Sequence, residues 1–263
     1  MRRLRRLVQK RSLRWSEGVC VIEGPDLVAA ALESGAQFEA IYVDAGEASS
    51  PGLVALTKKA NELGVRVFAL DDGVLAKVAD AQTPQPVLAA VRFASKDVDT
   101  IACRGLILVV HDLKDPGNAG TIIRSADAAG TSAVIFTGQS VDPYNPKTLR
   151  ATAGSIFHLD VCVATIDATL AHFSSLGAQT LATVVRGGTS HRDVNFTIAT
   201  VVVIGNEADG LSKEVIAKCD RSISIPMAGR SESLNAGVAA SLIAFEALWQ
   251  GGYAITPPPT PSL

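Results

Sequence analysis

A chain of 263 residues with 48% apolar and 5% aromatic content can fill one large core or two small ones, built of small and β-branched side chains as in layered α/β proteins. No apolar run approaches the roughly 18–20 residues that span a bilayer. Residues 1–14 lack a signal-peptide core, and Cys20, Cys103, Cys162 and Cys219 form no CxxC pair, so the expectation is a soluble cytoplasmic protein with reduced thiols, no disulfide framework and no metal site.

The net charge of −2 hides an asymmetry: residues 1–14 contain Arg2, Arg3, Arg5, Arg6, Lys10, Arg11 and Arg14 without an acid, which leaves the remainder at −9. A basic N-terminal arm on an acidic body suits contact with phosphates. A solvated start with no partner fits the same composition.

The apolar pattern then predicts alternating short strands and helices. Val19–Ile22 is a strand, Pro25–Ser34 a helix stopped by Gly35, and Ile41–Val43 a strand. A helix over Leu53–Leu63 closes at Gly64, followed by a strand over Val65–Leu70, a short helix over Asp72–Ala79 and a strand over Pro86–Phe93. These elements make a small N-terminal α/β domain over 1–94, and the mixed-charge stretch 95–104 reads as a linker.

From Gly105 the rhythm strengthens. Leu106–Val110, Ala133–Phe136, Leu159–Val163, Thr180–Val184, Thr200–Ile204 and Ser222–Ile225 are nearly all apolar, as befits a parallel sheet covered on both faces. Helices begin near Ala119, Pro146, Asp167 and Ser212, and a last helix over Ser233–Trp249 closes at Gly251 and Gly252. The second domain spans 105–252, and the tail 253–263 is Pro-rich and extended or disordered.

Three segments of the second domain carry polar groups where α/β sheets place their sites, after the C-terminal ends of strands. The first, His111 to Arg124, opens a helix; Asn118 is a candidate cap, and Arg124 stands beside an apolar stripe where an unpaired charge is costly. A surface ion pair of Arg124 with Asp127 or Asp115 is the plain reading. The second is the turn Gly205-Asn206-Glu207 after the Thr200–Ile204 strand. The third runs from Ile225-Pro226-Met227 to Ser233-Leu234-Asn235 at the head of an alanine-rich helix, where backbone amides favour anionic groups. Singly, each is an ordinary strand–turn–helix.

In order and wording, however, Asn118 with Arg124, then Gly205-Asn206-Glu207, then Ile225-Pro226-Met227 with Ser233-Leu234-Asn235 resemble the three motifs of the SpoU–TrmH RNA methyltransferases of the SPOUT superfamily. Asp142-Pro143-Tyr144-Asn145-Pro146-Lys147 and Arg150 through Gly154 add to the likeness. Glu23-Gly24-Pro25 and Thr83-Pro84-Gln85-Pro86 resemble the substrate-binding domain of one branch. The likeness covers about residues 8–250 and leaves the basic arm and the Pro-rich tail largely outside.

The resemblance implies a parallel α/β domain with a trefoil knot, which pattern reasoning alone would reject. It also implies a homodimer that uses S-adenosylmethionine to methylate ribose 2′-hydroxyls in structured RNA, ribosomal RNA ahead of transfer RNA. The cofactor pocket would use Thr183, Gly205, Glu207, Ile225, Met227, Ser233, Leu234 and Asn235. Arg124 would be the central catalytic residue with Asn118, Glu207, Ser233 and Asn235. Asn145, Lys147 and Arg150, with Arg2, Arg3, Arg5 and Arg6, would contact RNA. Because arginine stays protonated, Arg124 is expected to bind the target phosphate and ease the developing alkoxide, with Asn118 and Glu207 placing it. The rivals are a non-catalytic RNA-binding protein that kept the fold and a dinucleotide-dependent oxidoreductase; the latter lacks a GxGxxG after the first strand.

Overall fold

The computed structural model describes residues 1–78, 84–93 and 95–251. Residues 1–14 are not a free arm. They form α1 (Arg2–Gln9) and the start of α2 (Arg11–Glu17). Leu4, Leu7 and Val8, at helical i, i+3 and i+4 spacing, are buried against Val19, Val21, Leu75, Val78, Leu88 and Ala90. Arg2, Arg3, Arg5 and Arg6 stay exposed on the other side. The charge count masked a short amphipathic helix that needs a sheet to lie on.

That sheet contains β1 (Val19–Glu23), β2 (Phe38–Asp44), β3 (Val67–Leu70) and β4 (Val87–Arg92), in the order β1-β4-β2-β3. β4 runs antiparallel to both of its neighbours, whereas β2 and β3 are parallel. Helices α3 (Pro25–Glu33) and α4 (Pro51–Glu62) pack on it, each with proline in its first turn. The helix expected over Asp72–Ala79 is instead a run of turns through Val78, and Ala79 lies outside the described residues. Gly73 at φ 74° interrupts helical geometry there.

The second domain contains β5 (Leu106–His111), α5 (Pro116–Ala128), β6 (Ala133–Thr137), α6 (Pro146–Thr152), β7 (Asp160–Ala164), α7 (Ile166–Ser175), β8 (Gln179–Thr183), β9 (Thr189–Ser190), β10 (Thr200–Ile204), α8 (Lys213–Ala217), β11 (Arg221–Ser224) and α9 (Ala236–Gln250). Its seven strands are all parallel, in the order β7-β6-β5-β10-β8-β11-β9. Alternate strand residues serve two cores. Leu108, Val110, Val202 and Ile204 face α5 and α9, and Ile107, Val109, Val201 and Val203 face α7 and α8. This two-sided burial explains why the strands read as continuous apolar runs. The two-residue β9 went unforeseen because it has no apolar run. The register pairs Val110 with Ile204, so the polar turns after β5 and β10 emerge side by side.

The stretch read as a linker is docked structure. Val98–Thr100 forms a 3-10 turn, Ile101 is buried in the second core, and Lys96 pairs with Asp160 at 2.6 Å. The two domains also share one apolar core that runs from Cys20, Ile22 and Val28 through Tyr144, Leu149 and Ile156. Arg14 and Asp142 form a buried ion pair across the seam, and Arg150 reaches Glu23 there at 2.7 Å. The expected Pro-rich tail lies outside the described residues.

All four cysteines are free. Burial pushes the Cys20 thiol up to about 12 and those of Cys162 and Cys219 to about 11, so these three are protonated at neutral pH. Among the described residues no helix is long and apolar enough to cross a membrane, and no cluster of three His, Cys, Asp or Glu side chains is placed to hold a metal.

Leu7→Ala should destabilise the chain by about 2–5 kcal/mol in urea denaturation, the usual range for a fully buried leucine, whereas Arg6→Ala should change it by less than about 0.5 kcal/mol. Equal, small effects would mean that α1 is not part of the core.

Candidate active site

The three polar segments converge through one amide. Asp115, followed by Pro116, caps α5 by accepting from the Asn118 backbone N–H at 2.7 Å. Asn118 therefore does not serve as the cap, and its side chain is free for other work. Its Nδ2 donates to Glu207 Oε1 at 2.8 Å, and its Oδ1 accepts from Asn235 Nδ2 at 2.8 Å. Those partners lie 89 and 117 residues away in sequence. Asn235 caps α9 with its own Oδ1, which accepts from Val238 N at 3.2 Å. The helix thus starts at Ala236, three residues later than its sequence suggested, and Ser233 and Leu234 belong to the loop before it.

The turn that carries Glu207 is built tightly. A Cβ on Gly205 would meet the Gly210 carbonyl carbon and lie 2.6 Å from the Leu211 nitrogen, so only glycine lets the chain fold back there. Asn206 Oδ1 accepts from Ala208 N at 2.7 Å, and its Nδ2 donates to the Asp112 carbonyl at 3.3 Å. The sequence motifs do not mark Asn206 as a site residue, although asparagine after a strand-end glycine is a turn signal. It ties this turn to the end of β5, where Asp112 holds the unusual φ of 56° and receives Gln139 N on its carboxylate at 2.6 Å.

Behind the turn lies a cavity of about 280 Å³. Thr183, Gly205, Glu207, Ile225, Met227, Ser233 and Leu234 all line it; of the expected set only Asn235 does not, because its side chain faces Asn118 and the helix start. Leu211, Ala236, Ala239 and Ile243 complete the walls. In sequence, the small residues of α9 signalled close packing, and their role as a cavity wall appears only once α9 lies beside β10 and β11. Thr183 Oγ1 donates to Val203 O at 3.0 Å, which leaves that hydroxyl its acceptor capacity. Among the described residues, the only charged ones in the lining are Glu207 and Asp209. An apolar chamber with an acidic mouth suits a ligand that joins a flat apolar ring to a positive charge.

Arg124 lies elsewhere. It is exposed on α5, does not line the cavity, and among the described residues its guanidinium has no hydrogen bond or ion pair. Neither plain pairing occurs, since Asp127 is engaged by His158 at 3.0 Å and Asp115 caps the helix. Asn118 and Glu207 bind each other, and among the described residues neither hydrogen-bonds to Arg124. On α5 Arg124 follows three residues after Thr121, whose side chain lies against Gly237 of α9. One turn on, Ser125 Oγ meets Ser241 Oγ at 2.6 Å.

The expected RNA-contact residues divide. Asn145 caps α6 by accepting from Lys147 N at 2.9 Å, and Lys147 is exposed. Arg150 is occupied by Glu23, and Arg3 is shared by Glu17 and Glu39 at 2.6 and 2.7 Å. Arg2, Arg5 and Arg6 project from α1 into solvent.

Residues 105–245 match the SpoU rRNA methylase family, and residues 1–89 match the MRM3-like substrate binding domain, so the basic segment lies within the likeness after all. The chain is 29% identical to the 23S rRNA (guanosine(2553)-2′-O)-methyltransferase RlmP of Bacillus subtilis, over 86% of each protein. It is 34% identical to the 23S rRNA (uridine(2479)-2′-O)-methyltransferase of Streptomyces viridochromogenes, covering 95% of this chain and 91% of that one. The crystal structure of the SpoU methyltransferase AviRb from Streptomyces viridochromogenes, in complex with the cofactor AdoMet, superposes with a TM-score of 0.85 at 30% identity and covers 95% of this chain and 96% of that one. With its catalytic half matched over most of its length and a relative of this identity spanning both domains, the chain belongs to the SpoU rRNA methylase family.

Proposed function

We propose that this protein is an S-adenosylmethionine-dependent RNA methyltransferase that acts on the 2′-hydroxyl of a ribose in structured RNA in the cytoplasm, ribosomal RNA ahead of transfer RNA. The observation that carries this reading is the Asn118–Glu207–Asn235 hydrogen-bonded chain at the edge of the cavity behind Gly205. The named relatives act on ribosomal RNA at ribose oxygens, and the cofactor-bound neighbour shares the fold over nearly its whole length.

The residues present fit the cofactor. Thr183, Gly205, Ile225, Met227, Ser233 and Leu234 would enclose it, and the carboxylate of Glu207 favours its positive charge. S-adenosylmethionine supplies an electrophilic methyl group. A ribose hydroxyl is a weak nucleophile and must shed its proton as its oxygen takes the methyl, so alignment and charge relief are the main demands on the protein. Among the described residues the Arg124 guanidinium has no partner of its own, which suits it to hold the target phosphate and stabilise the developing oxyanion. Asn118 and Asn235 fix the Glu207 turn and the loop that holds Ser233. A non-catalytic RNA-binding role has no observation in its favour.

The reading includes a homodimer. Val238, Leu242 and Trp249 are exposed on α9 and Phe245 is half-buried between them, so the four make one apolar stripe at i, i+4, i+7 and i+11. Because α9 packs against α5, the helix that carries Arg124, a second copy seated on the stripe would bring its own surface near the arginine and complete the RNA cleft. The trefoil knot belongs to the same reading; the insertion of β10 between β5 and β8 and the return of α9 onto α5 support it. RNA would lie across Asn145 and Lys147 of the catalytic domain and the Arg2, Arg5 and Arg6 face of α1, with Arg3 and Arg150 adding local structure.

Arg124→Ala should lower methyl transfer to an unmodified 23S rRNA transcript by about 100-fold or more while cofactor affinity in calorimetry stays within about twofold. Near-normal turnover would remove Arg124 from the chemistry. Gly205→Ala should abolish cofactor binding in the same calorimetry, because the added methyl collides with the returning backbone at Gly210 and Leu211. Retained binding would place the pocket elsewhere. Leu242→Asp should shift sedimentation at micromolar concentration from dimer to monomer; a wild-type monomer would discard the dimer.

A further inference from the structure

Arg14 belongs to the basic run of residues 1–14, yet it is only 2% exposed. Its Nε and Nη2 both donate to Asp142 Oδ2, at 2.9 and 2.6 Å. Its Nη1 donates to the carbonyls of Leu7 and Val8 at 2.7 and 3.0 Å, which are end-of-helix acceptors of α1. The other carboxylate oxygen of Asp142 accepts from Trp15 Nε1 and from Tyr144 N, both at 3.1 Å. The Trp15 ring stands edge-on to Phe93 and Tyr144. One guanidinium therefore joins the basic helix of the first domain to the turn of the second that leads into Asn145 and Lys147.

We propose that Arg14, with Trp15, is a positioning and specificity-determining pair that clamps Asp142 and so holds α1 and the Asp142–Lys147 turn as one RNA-reading surface across the two domains. The proposal takes the polymer and the reaction from the function proposed above. An RNA that spans both domains pays no ordering entropy for aligning Arg2, Arg5 and Arg6 with Lys147 when the clamp has aligned them beforehand. The fork geometry matters as well as the charge. Four donor bonds point in fixed directions from one planar group, which a lysine cannot reproduce. The clamp also lies next to the chemistry. Arg11 Nη1 donates to Ser140 O at 3.3 Å, Ser140 Oγ accepts from Leu113 N at 3.1 Å, and Val141 N donates to Leu113 O at 2.7 Å, just ahead of the Asp115 cap and Asn118.

The test uses full-length Arg14→Lys and Trp15→Phe, the latter keeping the ring and removing only the donor to Asp142, so that one folded variant is secured if the other fails to fold. Affinity is read by filter binding to an unmodified 23S rRNA transcript and to a short hairpin too small to touch both domains, and KM and kcat are measured on the transcript. Arg14→Lys should weaken transcript affinity and raise KM by about tenfold, and Trp15→Phe by about threefold, with kcat at saturating RNA, cofactor affinity and hairpin binding within about twofold. Unchanged transcript affinity in folded variants overturns the clamp. An equal loss on hairpin, transcript and cofactor also overturns it, because that is the mark of a merely structural residue. If the wild type binds the transcript and methylates nothing, the methyl-transfer reading fails and the affinity comparison still judges the clamp.

Discussion

The Asn118 side chain is the joint on which the site depends. An amide offers a donor and an acceptor on opposite sides, and here each side holds a different loop, the Glu207 turn on one and the Asn235 helix start on the other. Neither loop could be held so by sequence neighbours. The bonds become possible because β5 and β10 pair in parallel, which brings the chain after Val110 beside the chain after Ile204. Freed from capping by Asp115, Asn118 can reach both. Each bond alone contributes about 0.5–1.5 kcal/mol, modest as stabilisation yet enough to set the relative positions of three turns.

Around that joint the charges are divided by place. Acids alone mark the mouth of the cavity, whereas the cation Arg124 stands outside it on the solvent face of α5. Such a division separates the two things the proposed reaction must hold, a positively charged methyl donor and a polyanionic acceptor. α9 serves both sides. Ala236 and Ala239 wall the cavity, and another face, from Val238 to Trp249, offers an apolar stripe to solvent.

The seam between domains is equally specific. A buried ion pair is costly to desolvate and tolerable only when every polar atom finds a partner. Asp142 achieves this with Arg14, Trp15 and the Tyr144 backbone, while the stacked Phe93 and Tyr144 rings, with centroids 3.7 Å apart, fill the apolar side. One of the apolar clusters thus runs across the seam between the two sheets, and the stretch between them is docked on the second.

The sequence by itself determined the parallel sheet, the position of nearly every strand and the three polar turns, because buried parallel strands and strand-end glycines leave local signatures; the expected pocket residues came only with the family likeness. It also carried the family likeness from which the chemistry was expected. It could not show that Asp115 rather than Asn118 caps α5, since both lie at the helix start and only the orientation of Asn118 toward Glu207 decides between them. Nor could it show that Arg14 is buried, that residues 1–14 form packed helices, or that Arg150 answers to Glu23. Those outcomes rest on pairings between residues more than a hundred positions apart, or on a sheet beneath a short helix. Charge and periodicity report what a residue carries, and only the folded chain decides which partner it meets.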